Sequence, residues 1–512
     1  MKNHLRPFLA LLLTALSLLS LVLADSVPAE EDPNCLAYYA DKTICDLTGS
    51  IGLDHLRKLD IFGADQTVDY YNSNTDCITA VRTGNADAFV CDLSVAMIYC
   101  HEYPDLMIVE EHVTDDDHFG FALRKGSDLT EPFNECIARL WADGTIDALN
   151  EKWIVNAGED SSMPEITWPG SNGTLRFWCT GTTLPTAYTV DGEVVGYTVE
   201  LFYRICEMLD YTPVIYTSDF SGLIPALVSD RADVAGDGIS ITEERKQSVD
   251  MTDPIYHNAG ILLVRDPDYV DESDSSFADT VKASFVRTFV SENRWKMFLS
   301  GISCTLLVTG FSIVCGTALG FGIYLLTRRK WHWLNALLNG IGVFLTGIPV
   351  VVVLMVGFYI IFGSSGLSGT LISCFVFTLL FAVQTVSVIE SGVAAVGGGQ
   401  YEGAMALGYT DTQAFFRVLL PQAVLFALPS YRSSLISLLK DTAIVGYVAV
   451  MDLTRAGDVV RGATLDPFFA LIAVALIYFV LGRILVRLVD LLHRILKGKQ
   501  KAREASLKEV SA

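Results

Sequence analysis

The sequence has few charged residues, and it is especially short of basic residues and cysteine. Only 19% of its 512 residues are charged while 51% are hydrophobic, which excludes an intrinsically disordered chain. Lys and Arg number 36 against 59 Asp and Glu, and the net charge of −23 excludes a nucleic-acid binder, which needs a basic face. Eleven cysteines are too few for a scaffold held together by disulfides.

The motifs of an enzyme are also missing. The sequence contains no GxxxxGK[ST] phosphate-binding loop, so ATP hydrolysis by P-loop chemistry is not expected of this chain. It shows no nucleophile, metal-ligand or cofactor constellation either. We therefore expect a protein that is not an enzyme, with no metal site and no cofactor of its own.

The charge that is present divides the chain into two unlike parts. Residues 1–292 carry a net charge of −31, whereas residues 293–512 carry +8 and most of the long apolar runs. The length allows about three domains. An acidic part and a basic, apolar part indicate two different solvents, water and lipid.

The first 24 residues have the layout of a secretory signal. Lys2 and Arg6 precede an apolar run at 7–23, and a small residue, Ala24, stands before an acidic stretch. This pattern predicts a signal peptide over 1–24; the alternative is an uncleaved first transmembrane helix. In both cases residues 25 to about 292 are exported.

Five apolar stretches in the second part are long enough to cross a bilayer. They predict spans at 298–327, 337–362, 369–389, 422–449 and 467–489. Basic residues follow the first span (Arg328, Arg329, Lys330) and the last, which places both ends in the cytoplasm. We expect a linker at 267–297, a membrane domain at 298–490 and a basic cytoplasmic tail at 491–512.

The exported part contains two alternating α/β stretches, 25–155 and 174–266, joined by a polar linker at 156–173. The second stretch resembles the first lobe of the polar amino-acid solute-binding proteins, which are bilobed class II flytraps. The first stretch resembles the second lobe of that family and its return helices. The motifs that carry the resemblance are 219–227 (DFSGLIPAL), 238–246 (GISITEERK) and 251–256 (MTDPIY) in the second stretch, and 48–50 (TGS), 85–92 (NADAFVCD), 120–126 (GFALRKG) and 142–145 (ADGT) in the first.

The order of these lobe sequences is inverted relative to the family. We therefore expect one α/β bilobed, periplasmic-binding-protein-like domain with a circularly permuted lobe order, a change that neighbouring termini tolerate. The alternative is an exchange of lobes between two chains of a dimer. The pairing of the exported cysteines stays open.

The resemblance implies an amino-acid site. A buried ammonium and a buried carboxylate each need an opposite charge. Arg245 matches the family's carboxylate clamp and Asp92 its ammonium-binding aspartate; a solvated helix start and a helix cap are the alternatives. The remaining candidates are Ser240, Gly238, Phe220 and Thr182, with Gly49 and Ser50 offering backbone N–H groups to the carboxylate.

The membrane part contains a loop at 398–421 that is similar to the EAA loop of ABC importer permeases. The matching letters are 402–408 (EGAMALG) and, nine residues later, 418–421 (VLLP). We expect two short helices around a glycine turn, ended by Pro421, that project into the cytoplasm. The resemblance implies that they contact an ATPase subunit through Glu402, Ala404, Gly408, Leu420 and Pro421.

Two further segments, 436–442 (ISLLKDT) and 452–455 (DLTR), look like the polar amino-acid permease branch. A Lys next to an Asp inside a membrane is costly unless paired or facing water. Lys440 and Asp441 are therefore candidates for the translocation path, with a structural ion pair or snorkelling at the outer interface as the alternatives.

Together these resemblances imply a fused receptor and permease of an amino-acid ABC importer of the histidine/glutamine type. The permease would be an all-α, five-helix type I transmembrane domain. Its expected partners are a polar amino acid, a second copy of the chain and a separate subunit that hydrolyses ATP. The expected location is the bacterial plasma membrane, with the binding domain outside. The alternative function is a flytrap-gated channel or an amino-acid sensor.

Overall fold

The computed structural model describes residues 32–63, 65–157, 160–270, 277–328 and 331–511. The expected signal segment 1–24 and the basic residues Arg329 and Lys330 lie outside the described residues. An α/β part comes first, and an all-helical part follows it.

The strands of the α/β part form two large sheets, each the centre of one lobe. In chain order they are β1 (Ile44–Leu47), β2 (Val68–Tyr71), β3 (Ala88–Asp92), β4 (Leu106–Ile108), β5 (Thr114–Phe119), β6 (Ala122–Arg124), β7 (Thr174–Cys179), β8 (Thr182–Thr183), β9 (Ala187–Val190), β10 (Glu193–Val195), β11 (Thr212–Thr217), β12 (Val234–Ala235), β13 (Val249–Met251) and β14 (Tyr256–Arg265). Lobe A has the order β2-β1-β3-β14-β4, with β5 paired to β14. Lobe B has the order β11-β7-β12-β6-β13.

Helices cover both sheets, as the parallel pairs β1–β2, β1–β3 and β7–β11 require. In lobe A the apolar strand β3 is buried over Ala88–Val90, so its side chains meet helices on both faces. The helices of the α/β part are Leu36–Tyr39, Gly52–Arg57, Asn74–Thr83, Leu93–Glu102, Thr130–Ala142, Thr145–Asn150, Glu151–Val155, Tyr197–Met208, Phe220–Gly222, Leu223–Val228 and Glu243–Ser248.

Two short segments, 120–121 and 252–255, cross between the lobes. They run side by side, because the amide of Ile255 donates to the carbonyl of Phe119 (2.8 Å) and the amide of Thr252 to that of Phe121 (2.9 Å). The Thr252 hydroxyl accepts from the Phe121 amide in return. Each lobe is thus completed by strands from two separated parts of one chain, and a two-stranded hinge lies below the cleft between them.

The helices at 130–155 follow strand β6 of lobe B and pack on the same lobe. Phe133, Ile146 and Trp153 share a buried cluster with Phe177 and Phe202 of lobe B. This packing keeps the chain on lobe B from β6 until β7 begins.

Four helices of the membrane part are long and apolar enough to cross a membrane, and a fifth crossing is made if a bent helix pair counts as one span. The helices of this part are Phe277–Phe285, Val286–Val290, Ser291–Asn293, Trp295–Thr327, His332–Gly347, Val350–Met355, Val356–Ile361, Gly363–Ser365, Gly369–Val396, Gly398–Ala406, Asp411–Ala414, Phe415–Leu419, Leu420–Asp441, Thr442–Val448, Leu453–Thr464 and Pro467–Ser511.

The second span differs from the expected straight helix at 337–362. It bends by 110° between His332–Gly347 and Val350–Ile361. The cause is Pro349, which lacks an amide donor and holds Ile348 in an extended conformation (φ −105°, ψ 139°). The first helix of this bent pair begins next to the end of the first span, where Asn335 donates to the carbonyl of Thr327. The loop after the second helix reaches lobe B, where the carbonyl of Leu367 accepts a hydrogen bond from Arg231. The two ends of the pair therefore lie on opposite sides of the helical part, which is the arrangement of a broken span.

Small residues bring the first and third spans close together. Helix Trp295–Thr327 lies against helix Gly369–Val396, and a Cβ added at Gly320 would lie 2.5 Å from the carbonyl oxygen of Ala382. Only glycine fits at that distance. Close backbone approach of this kind is the usual way in which membrane helices gain packing energy.

Candidate functional site

The cleft between the lobes brings together residues from both of them. Arg245, Ser240, Gly238 and Phe220 reach it from lobe B, whereas Asp92 and Ser50 reach it from lobe A. The predicted group is therefore assembled in one place. Thr182 is the exception, because it lies in a neighbouring cavity between the cleft and the membrane part.

Arg245 lies on the short helix Glu243–Ser248, which begins where the Thr242 hydroxyl accepts a hydrogen bond from the Arg245 amide (3.1 Å). Its guanidinium donates to the carbonyl of Ser240 (2.8 Å) and, across the cleft, to the carbonyl of Gly49 (3.0 Å). Burial lowers the pKa of this guanidinium. Arg245 is therefore a cleft residue that touches both lobes and not a solvated helix-start residue. The ring of Phe220 lies 5.9 Å from the guanidinium carbon.

Asp92 ends strand β3 at the N-cap position of helix Leu93–Glu102, yet its carboxylate makes no cap hydrogen bond. Instead Oδ1 accepts from Nδ2 of Asn258 (2.8 Å). Gly238 faces the other oxygen: a Cβ there would lie 3.7 Å from Asp92 Oδ2. Burial, and secondarily the charge of Asp117, raise the pKa of Asp92 to about 8. The carboxyl group of Asp92 therefore lines the cleft, where a ligand can reach it, and among the described residues it forms no ion pair.

The turn at Gly49 and Ser50 makes contacts that were not predicted. The Ser50 amide donates to the carbonyl of Leu47 (2.9 Å), and the Ser50 hydroxyl donates to the carboxylate of Asp46. Gly49 presents its carbonyl to Arg245, so this turn helps to hold the clamp, and the offer of its amide to a carboxylate stays a prediction.

Three further carboxylates line the cleft and were not predicted: those of Asp46, Asp117 and Asp237. Asp117 lies on the hinge strand β5 and accepts from the Ser240 hydroxyl (3.1 Å). Burial raises its pKa. In the sequence, the pattern that could have indicated Asp117 is the run TDDDHF of strand β5. In the structure Asp117 and Phe119 of this run are buried, while Asp115 and Asp116 are exposed. Only the pairing with β14 decides which of the three aspartates faces inward.

A membrane-domain helix, Leu453–Thr464, contacts both lobes. Its Arg455 pairs with Asp219 of lobe B (2.8 Å) and donates to the carbonyls of Thr180 (2.6 Å) and Ser218 (2.8 Å). Its Arg461 pairs with Asp76 of lobe A. These contacts border the second cavity, which leads from the cleft toward the membrane helices.

Lys440 and Asp441 end the helix Leu420–Asp441. The Lys440 side chain is exposed, and Asp441 accepts only a long hydrogen bond, from the Ser437 hydroxyl at 3.5 Å. The turn that follows reaches lobe A, where Asn72 donates to the hydroxyl of Tyr447 (3.4 Å). The pair thus lies at the end of the span that faces the binding domain, and its part in translocation stays a prediction.

The 398–421 loop forms helix Gly398–Ala406, a turn at Gly408 (φ +84°), and a second helix that begins at Asp411 with a capping box from Thr410. Ala404 is buried, whereas Glu402 and Leu407 are exposed, Leu407 to 80%. Arg328 at the end of the first span pairs with Asp411 and stabilises the loop.

The expectation that Pro421 ends the second helix is wrong. Pro421 lies in the first turn of helix Leu420–Asp441, which continues from Phe415–Leu419 without a break. Pro421 removes one amide donor at the point where the π-helical segment Phe415–Leu419 passes into the α-helix. The second loop helix therefore leads directly into a membrane span.

The comparisons with known proteins agree with this geometry. The family "Bacterial extracellular solute-binding proteins, family 3" matches residues 175–337, and the family "Binding-protein-dependent transport system inner membrane component" matches residues 288–498. The cleft and the helical part thus define a class of protein: a solute-binding domain fused to the permease domain of an ABC importer.

Several relatives match the permease part. The chain is 29% identical over 191 residues to the probable glutamine ABC transporter permease GlnM of Bacillus subtilis (37% of this chain, 88% of the relative). It is 30% identical to the L-cystine permease TcyL of the same organism (34% and 77%) and 31% identical to the glutamate permease GluD of Corynebacterium glutamicum (41% and 79%). A crystal structure of an amino acid ABC transporter with histidines aligns with 26% identity and a TM-score of 0.38 (43% and 99%). The chain belongs to the family of binding-protein-dependent transport system inner membrane components.

Proposed function

We propose that this chain is the receptor and the permease of an importer for polar amino acids. The observation that carries the proposal is the presence of both Arg245 and Asp92 in one interlobe cleft. A free amino acid presents a carboxylate and an ammonium that must be desolvated together, and these two side chains supply the opposite charges. The names of the relatives, which refer to glutamine, cystine and glutamate, support the same class of solute.

Energy would come from a separate ATPase subunit bound at the 398–421 loop. The exposed side chains of Glu402 and Leu407 support this, because an apolar residue that is 80% exposed beside a charged one is typical of a partner surface. A loop of this kind also favours an importer over a channel or a sensor. We further propose a homodimer; helix His332–Gly347 has no buried residue and leaves a face for a second copy or for lipid.

The binding domain would be a circularly permuted flytrap. Its support is the strand order: lobe A takes β1–β5 and β14, while lobe B takes β6 to β13. The solute-binding family also begins to match at residue 175, at the predicted start of the first-lobe sequence. An exchange of lobes between two chains is the competing arrangement, and the concentration dependence of binding separates the two.

The test is calorimetric titration of the full-length chain, in detergent, with each of the twenty amino acids. We expect binding of a polar amino acid that is lost in Arg245→Ala and kept in Arg57→Ala, whose side chain is exposed on the surface of lobe A. Thermal unfolding confirms that both variants are folded. Failure of the wild type to bind any amino acid would refute the proposal.

A further inference from the structure

The cleft contains more negative charge than a zwitterionic ligand needs. Its walls carry one guanidinium, that of Arg245, and four carboxylates, those of Asp46, Asp92, Asp117 and Asp237. The one imidazole in the walls, His55, has its pKa lowered by burial and does not offset them near neutral pH. The question is which of the four carboxylates is left for a ligand.

Two of the carboxylates are used by the protein itself. Asp46 accepts from the amide of Leu53 (2.9 Å) and from the Ser50 hydroxyl. Asp237 accepts from the amide of Thr180 (2.8 Å) and from two threonine hydroxyls. Both are satisfied by donors within their own lobe, so neither needs a ligand.

The other two, Asp92 on β3 and Asp117 on β5, both line the cleft from lobe A. Within the described ranges neither Asp92 nor Asp117 forms an ion pair: Asp92 accepts from an amide group and Asp117 from a hydroxyl. Asp117 is 7% exposed. A buried carboxylate without a counter-ion is costly, by several kcal/mol. The empty cleft therefore holds two carboxyl groups that have no cation bonded to them.

An amino acid with a neutral side chain supplies a cation to only one of these two carboxyl groups. Its ammonium pairs with Asp92 and its carboxylate takes the remaining donors of Arg245, which leaves Asp117 unpaired in a site that closes around it. The charge of Arg245 acts on Asp117 from a distance, but its guanidinium donates its hydrogen bonds to the carbonyls of Ser240 and Gly49 and not to this carboxylate. A second cation on the ligand would complete the site.

A second observation supports a donor-rich ligand at this position. Nε2 of His55 is buried and has no hydrogen-bond partner among the described residues, and His55 lines the same cleft as Asp117. In the neutral tautomer that carries its proton on Nδ1, Nε2 accepts an N–H. A guanidinium or an ammonium supplies such donors, whereas a carboxylate side chain has none to give.

We propose that the cleft selects amino acids with a cationic side chain and that Asp117 is the counter-ion for that side chain. This inference rests on the proposed function, since it assigns the substrate class of the same cleft. Asp92 binds the α-ammonium and Arg245 the α-carboxylate, which all amino acids share. Asp117 binds the side chain, in which they differ.

The test compares L-arginine, L-lysine and L-glutamine as calorimetric ligands of the full-length chain. The matched variants are Asp117→Asn and Asp116→Asn, the latter on the same strand but with a 92% exposed side chain. We expect arginine or lysine to bind about 100-fold more tightly than glutamine in the wild type and in Asp116→Asn. Asp117→Asn should lose most of that ratio and should not weaken glutamine, since without the charge of Asp117 the pKa of Asp92 is raised less.

Tighter binding of glutamine or glutamate than of both cationic ligands would overturn this inference and leave the proposed function standing. An unchanged ratio in Asp117→Asn would also overturn it. Failure to bind any amino acid would instead count against the proposed function. If Asp117→Asn does not fold, Asp117→Glu, which keeps the charge but moves it, should weaken arginine more than glutamine.

Discussion

Arg455 of the membrane domain and Asp219 of lobe B form an ion pair at 2.8 Å, although 236 residues separate them in sequence. The guanidinium has a side-chain exposure of 6% and the carboxylate one of 19%, so the pair is mostly shielded from water. Arg461, two turns further along the same helix, pairs with lobe A. One rigid helix therefore contacts both halves of the receptor, and its contacts depend on how far the lobes are apart.

Replacement of Arg455 by Ala should impair transport and leave solute binding intact. The change removes one partner of a shielded pair and leaves Asp219 without a cation, at a cost of about 2 kcal/mol to docking. Uptake into membrane vesicles that contain the partner ATPase should fall about 30-fold. Calorimetry on the same variant should give the wild-type affinity.

The control is Arg57→Ala, which removes an exposed arginine whose pair with Asp54 is 3.9 Å long. Uptake by this variant should equal that of the wild type, because exposed pairs contribute little. Equal uptake by Arg455→Ala and Arg57→Ala would show that the ion pair has no part in coupling.

Solute affinity should increase with pH up to about 8. In the empty cleft burial and the charge of Asp117 raise the pKa of Asp92 to about 8, so at neutral pH this carboxyl is mostly protonated. The ammonium of the ligand favours the ionised form, and binding must therefore release a proton. Below the raised pKa, affinity should rise by up to about tenfold per pH unit, and it should level off above it.

Proton release can be measured directly by titration in two buffers with different heats of ionisation. The groups that act on Asp92 are Asp117, Asp46 and Asp237, which raise its pKa, and Asn258, which lowers it. Asp92→Asn should bind more weakly and without this pH dependence. A pH dependence that persists in Asp92→Asn would assign the titration to another group.

Two glycines of the cytoplasmic loop should respond in opposite ways to the same substitution. Gly408 has φ +84°, where a side chain costs about 1–2 kcal/mol, although nothing lies within 4 Å of the added Cβ. Gly408→Ala should therefore lower the thermal unfolding temperature and weaken ATPase coupling. Gly403, inside helix Gly398–Ala406, also has free space, and Gly403→Ala should stabilise by about 0.5–1 kcal/mol. Destabilisation by both changes would contradict the assigned backbone conformations.

Packing of the first and third spans should depend on Gly320. A Cβ there would lie 2.5 Å from the carbonyl oxygen of Ala382, so Gly320→Ala must push the helices apart, at a cost of about 1–3 kcal/mol. Gly310→Ala on the same helix meets nothing within 4 Å and serves as the control. Thermal unfolding in detergent should separate the two variants, and equal unfolding temperatures would rule out this close contact.

The features that could be predicted from the sequence are those that depend only on neighbouring residues along the chain. The first span, expected at 298–327, is observed at Trp295–Thr327, because a long apolar run needs no knowledge of its neighbours. The bend at Pro349 was not predicted, since hydropathy reports the composition of a segment and not its direction. Pro421 was misread for a related reason: a proline ends a helix or begins one according to the backbone before it.

The cleft was predicted in part. Arg245 and Asp92 stand in motifs with fixed spacing, and the structure brings them together. Asp117 lies among three consecutive aspartates, and its inward direction is decided by the register of β5 on β14. Arg455 appeared in a motif of the resemblance, but its partner, Asp219, is known only once the receptor is placed on the permease.

The covalent connection of the receptor to the permease, from residue 266 to residue 294, also affects the kinetics of uptake. A freely diffusing receptor meets its permease at a rate set by the receptor concentration. A tethered receptor is present at an effective concentration on the order of millimolar, whatever the level of expression. Docking then becomes a first-order event, and ligand-free receptors from elsewhere in the cell compete poorly for the permease. The rate of uptake should follow the solute concentration alone.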